Sequence, residues 1–225
     1  SSTLGDLTKS FIGWPDDQIN YYIFDESIQG FLLGEEITTI PHSKEADNFI
    51  NNIFNDLTTL IELDFNQVFT EEESDIDIFS VSYYEPFGVS GLGEIIQGSN
   101  DWGVIWKNTN INSELTSNDK NTIIHEIGHT LGLSHPNNDP DSPDWNTDIT
   151  VMSYNKGAND WGYKFTSDDL NALTKIWGRE GSPVITGPSG EAGDIKIIIS
   201  IEENLSSAYT FNANESVTWR ISGGI

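Results

Sequence analysis

Between residues 43 and 61 apolar side chains recur every three or four positions, through Ala46, Phe49, Ile50, Ile53, Phe54 and Leu57 to Ile61. That period gathers them on one face of a helix, with Ser43 in place to cap its first turn. A second stripe, Leu170, Leu173, Ile176 and Trp177, follows the capping-box pair Thr166 and Asp169 and stops before Gly178. Between them, residues 122–131 read as a further helix anchored in the core by Ile124, Ile127 and Leu131. Five short runs rich in aromatic and β-branched residues read as strands: 19–24 (INYYIF), 64–69 (DFNQVF), 76–81 (IDIFSV), 92–96, and 103–107 (GVIWK).

A long crossover helix after the first strand and a helical second half predict an α/β (α+β) layered domain. Its sheet is expected to be twisted and mostly parallel, of about five strands, with two long helices and a C-terminal helix. Residues 1–18 form a leader and 19–180 the main domain. The Gly-, Pro- and Ser-rich stretch 181–193 reads as a linker, and residues 194–225 as a partial β-rich module with strand-like runs IKIIISI and YTFNANESVTWRI.

Composition narrows what this domain can do. Ten basic against 36 acidic residues give a net charge of −26, which repels nucleic acid and anionic membrane surfaces and favours a monomer. The chain has no cysteine, so a zinc site would have to use nitrogen and oxygen ligands. Only four histidines occur, and three of them lie in HEIGHTLGLSHP, which runs from His125 to Pro136.

Four residues apart on a helix, His125 and His129 project from one face and can converge on one ion, and Glu126 is offset to sit beside it and meet bound water. Gly132 lets the helix break and turn, so that His135 can return as a third ligand. Three histidines with a fourth position left to water are what a catalytic Zn²⁺ site needs, closed structural sites having no such opening. Zinc lowers the pKa of its water toward about 7 and Glu126 can take the proton, the arrangement a hydrolytic site needs. His42, which has no partner pattern, is expected at the surface near the first helix.

HExxHxxGxxH followed by DITVMSYN at 148–155 resembles the metzincin metalloproteases, and within them the secreted bacterial serralysin group. The similarity runs over about residues 4–178, from the Trp-containing turn at 11–15 to Trp177 and Gly178. It implies a zinc endopeptidase acting on protein or peptide substrates outside the cell. It also implies that Met152 lies under the zinc without binding it, and that Tyr154 is a weak further metal ligand that swings to the oxyanion. Serralysins continue into a calcium-binding β-roll, whereas YTFNANESVTWRISGG at 209–224 resembles the opening of cadherin-like repeats.

The edge strand at 92–96 is the candidate for pairing with an extended substrate. Two acidic segments, 71–77 and the aspartates 139, 141, 144 and 148, are dense enough for Ca²⁺ but lack EF-hand spacing and read as solvated loops. The competing reading is a zinc-binding, proteolytically inactive peptide-binding domain of a larger surface or adhesion protein.

Overall fold

The computed structural model describes residues 18–32, 35–84, 91–95, 102–108, 114–181, 185–186 and 212–213. The chain divides between Glu180 and Gly181 into two compact units. In the first, seven strands form one mixed sheet: β1 (Gln18–Ile23), β2 (Gln29–Leu32), β3 (Glu35–Thr39), β4 (Asp64–Val68), β5 (Ile76–Tyr84), β6 (Gly91–Ile95) and β7 (Trp102–Lys107). Among the described residues three α-helices accompany it: α1 (Lys44–Thr58), α2 (Ser117–Thr130) and α3 (Ser167–Trp177). The architecture is α+β and consistent with a metzincin-like fold.

All five expected strands are in this sheet, and four of them, β1, β4, β5 and β7, make its parallel core. β1 pairs in parallel with β4 and with β5, and β5 in parallel with β7. The antiparallel pairings lie around them: β6 on β7, and the hairpin β2–β3 on the far half of β5. One edge of β5 is therefore shared, with β1 paired at Ile76–Ile78 and β3 taking over from Val81. The hairpin escapes sequence reading because β2 is four residues long and contains Gly30, too short for alternation to register.

Strand alternation sorts the core onto two faces. Ile19, Tyr21, Ile76, Ile78, Val104 and Trp106 belong to the large cluster shared with the helices. Phe24, Ile37, Phe79, Val81 and Ile105 form a smaller cluster of their own. α1 starts where expected, with the Ser43 hydroxyl accepting from Ala46 N at 3.1 Å, and it buries Ile50, Ile53, Phe54 and Leu57. A salt bridge of 2.8 Å from Lys120 to Glu45 fastens the start of α2 to the first turn of α1.

Two expectations need correction. His42 is buried, at 8% exposure, because its ring ties three segments together: Nδ1 donates to Phe24 O at 3.0 Å while Nε2 accepts from the Trp106 indole at 3.0 Å. An indole N–H can only donate, so the imidazole proton must sit on Nδ1. Burial lowers this histidine to about 4, against the smaller upward pull of the Phe24 carbonyl. The acidic run 71–77 is also only partly a solvated loop. Glu71–Glu73 form an exposed 3₁₀ turn, but Ser74 and Asp77 are buried and hydrogen-bonded to each other as β5 begins.

In the second unit Ile185–Thr186 pairs antiparallel with Asn212–Ala213, so part of the stretch read as linker is already in a β ladder. The leader through residue 17 and the run IKIIISI lie outside the described residues. No described helix is long and apolar enough to cross a membrane.

Candidate metal centre

α2 begins at Ser117, five residues earlier than its apolar pattern implies. Thr116 and Asp119 form a full capping box, each side chain bonding the other's backbone N–H. The helix packs against β6 and β7 and buries Ile123, Ile124 and Ile127. These contacts fix its rotation, and with it the direction in which His125, Glu126 and His129 project.

Its C-terminal end does the other half of the work. Gly132 takes φ +92, its N–H bonds His129 O at 3.0 Å, and Leu133 N bonds Gly128 O at 2.9 Å, which is a Schellman motif. A side chain at that backbone angle would be strained, so the glycine is required by geometry. The indole N–H of Trp177, at the end of α3, satisfies Leu131 O at 2.9 Å and holds the turn from outside. The reversal places His135 against the two helical histidines.

The imidazoles converge. His135 Nε2 lies 3.2 Å from His125 Nε2 and 3.2 Å from His129 Nε2. Each helical ring is oriented by its other nitrogen: His125 Nδ1 contacts Val151 O at 2.9 Å and His129 Nδ1 contacts Leu133 O at 2.8 Å. Since a carbonyl only accepts, both rings carry their proton on Nδ1 and present the Nε2 lone pair to the centre.

Lone pairs of neutral imidazoles packed this closely have no good partner but a cation. With Zn–N distances of 2.0–2.1 Å, a tetrahedral ion sets its nitrogens about 3.3 Å apart, so the donor set fits zinc. Burial keeps the rings neutral. It pulls His125 down to about 3, with help from neighbouring His129, and His129 to about 4; half-buried His135 is lowered too.

Glu126 is buried at 8% exposure, one residue along α2 from His125. Its charge reaches Tyr154, whose phenol is raised above its ordinary value by burial first and then by Glu126 and Asp141. Tyr154 is half exposed, its ring centroid 4.9 Å from that of His135 and 5.5 Å from that of His125. Met152 is buried, and a Cβ added at Gly128 would come within 2.9 Å of its sulfur, so the thioether packs directly on the backbone of α2 between the two helical histidines. The structure thus gathers His125, His129, His135, Glu126 and Tyr154 at one place.

Sequence reasoning missed Asp169 as part of this neighbourhood. Besides capping α3, its buried carboxylate accepts from Thr150 Oγ1 at 2.6 Å and Val151 N at 3.1 Å. The spacing of Thr166 and Asp169 announces a cap, but nothing local announces partners 18 and 19 residues upstream.

A comparison with curated proteins finds no match to the chain. Residues 33–136 match the model of the reprolysin-like metallo-peptidase family M12B. The matched stretch ends just past His135, so it contains the whole histidine cluster. Family match and three-histidine centre together support a zinc metalloprotease of metzincin type acting on protein or peptide substrates.

Proposed function

We propose that this chain carries the catalytic domain of a secreted zinc endopeptidase of the serralysin-like branch. The observation that bears most weight is the set of three Nε2 atoms converging with two of their protons held on the opposite ring nitrogens. The finer branch and the secreted location rest on the motif HEIGHTLGLSHP and on Tyr154 standing two places after Met152.

His125, His129 and His135 would hold the zinc, with Tyr154 beside them as a weak fourth protein ligand. When bound, zinc polarises a peptide carbonyl and makes water nucleophilic near neutral pH. Glu126 takes the proton from that water on its carboxylate and delivers it to the departing amide nitrogen. Tyr154, kept protonated by its surroundings, donates its phenolic hydrogen to the oxyanion that develops on the attacked carbonyl.

Substrate fits extended along β6, which among the described residues pairs only with β7 and leaves its other main-chain edge to a ligand strand. The helix that carries His125 and His129 packs against β6.

Glu126→Ala tests the assignment. The variant is expected to retain zinc and to lose about 10²–10⁴-fold in cleavage of casein, the usual contribution of a general base. Wild-type protein that binds zinc but leaves casein intact at every ratio of enzyme to substrate would establish a binding domain and refute the peptidase reading.

A further inference from the structure

We infer that Asp169 and Thr150 are positioning residues for His125, acting through a single peptide group, an inference that rests on His125 being a metal ligand. The peptide between Val151 and Met152 is bonded at both ends. Its carbonyl, Val151 O, accepts the Nδ1 proton of His125 at 2.9 Å. Its N–H, on Met152, donates to Thr150 Oγ1 at 3.1 Å. The same hydroxyl spends its own proton on Asp169 Oδ1 at 2.6 Å. A continuous relay results: carboxylate, hydroxyl, peptide, imidazole, and at the far end the Nε2 lone pair.

Every donor in the relay points toward the carboxylate, so each bond polarises the next in the same direction. Density drawn onto Thr150 Oγ1 strengthens it as an acceptor for the Met152 N–H. A peptide that gives its N–H away more fully carries more negative charge on its oxygen, which in turn grips the His125 proton more strongly. The imidazole becomes a more basic ligand, as it does when a carboxylate bonds it directly.

Burial makes the chain effective. His125, Thr150, Val151, Met152 and Asp169 are all at 9% exposure or less, so water competes at none of the bonds. The second carboxylate oxygen, Asp169 Oδ2, accepts Val151 N at 3.1 Å and Thr166 N at 2.9 Å, fixing the same turn to the start of α3. His129 has a simpler arrangement, bonding the carbonyl of Leu133 four residues along the chain. His125 alone of the two is coupled to an acid, and by groups 25 to 44 residues away in sequence.

The test uses Thr150→Val, which keeps the side-chain volume and both Asp169 Oδ2 bonds but removes the hydroxyl. Two controls accompany it: Thr150→Ser, which restores a hydroxyl, and Ser153→Ala, which loosens the same turn by removing the Ser153 hydroxyl bond to Pro140 O at 3.2 Å. Zinc affinity is measured by competition with a chromogenic chelator, and the His125 Nδ1 proton is followed by NMR in the metal-free protein.

Thr150→Val is expected to bind zinc about 10-fold more weakly, the lower end of what outer partners of ligating histidines contribute. Its Nδ1 proton resonance should move upfield, while both controls stay within about twofold of wild type in affinity. An unchanged affinity or an unmoved resonance in Thr150→Val overturns the relay, as does an equal loss in Ser153→Ala. If the wild-type chain itself takes no zinc, the metal-site reading fails and the relay with it. Normal zinc binding by wild type with an unaffected Thr150→Val removes the relay alone.

Discussion

The two halves of the metal centre are held in different ways. On the helical half, His125 is buried, its ring clamped by Val151 O on one side, and its helix capped, packed and salt-bridged at the far end. On the loop half, His135 is about half-buried and arrives by way of a glycine turn, while the ring of Tyr154 is half exposed and its anchoring bond is a main-chain one, Tyr154 N to Pro140 O at 3.0 Å. One half is set by the fold before any ion arrives. The other is aimed by the chain direction and completed by the ion. A centre divided in this way has one wall fixed by the core and one carried by a loop.

Removing each histidine in turn gives the strongest test of that contrast. In metal-free protein His125→Ala should cost about 2–4 kcal/mol, since it leaves a cavity and strands Val151 O. His135→Ala should fall within about 0.5 kcal/mol of wild type, as a partly exposed ring normally does. Both should lose zinc. Equal losses of unfolding free energy by denaturant titration would dissolve the distinction.

The fourth histidine supplies a reference outside the centre. In the unfolded chain His42 takes up a proton near the ordinary histidine value of 6.5, but in the folded one only near 4. The unfolded state therefore binds more protons between those limits, so stability is full above about pH 6.5 and falls as acid is added, until about pH 4. At 1.36 kcal/mol per unit the loss is on the order of 3 kcal/mol for this residue. Metal-free His125 and His129 add to it by the same sign, having folded values of about 3 and about 4. His42→Gln should flatten the acid limb of a melting-temperature profile, and an unaltered limb would refute its buried neutral state.

Gly132→Ala acts on the loop half only. Positive φ with a Cβ costs about 1–2 kcal/mol, and zinc affinity should fall through His135 while the near-ultraviolet signature of the core is kept. Trp177→Phe removes one hydrogen bond to Leu131 O and should cost about 1 kcal/mol in thermal unfolding.

The histidine cluster was largely legible in the sequence and the supports around it were not. His125, His129, Gly132 and His135 are read at once because helix period and glycine turn are local rules, and the caps at Ser43 and Thr166 are local as well. The partners that orient these groups come from afar. Phe24 and Trp106 are 18 and 64 residues from His42, which therefore looked like a surface residue. The hairpin β2–β3 owes its place to the far half of β5, a pairing that no short window of residues 29–39 can announce.

The sulfur of Met152, lying against Gly128, makes the domain's sensitivity to oxidants a matter of breathing. This is the chain's single methionine and it is almost wholly shielded, so peroxide reaches it only when the turn beneath the helix opens. An added oxygen has no room there and would wedge the turn away from the helix that carries His125 and His129. Sulfoxide formation, followed by mass spectrometry, would then time the opening of that turn.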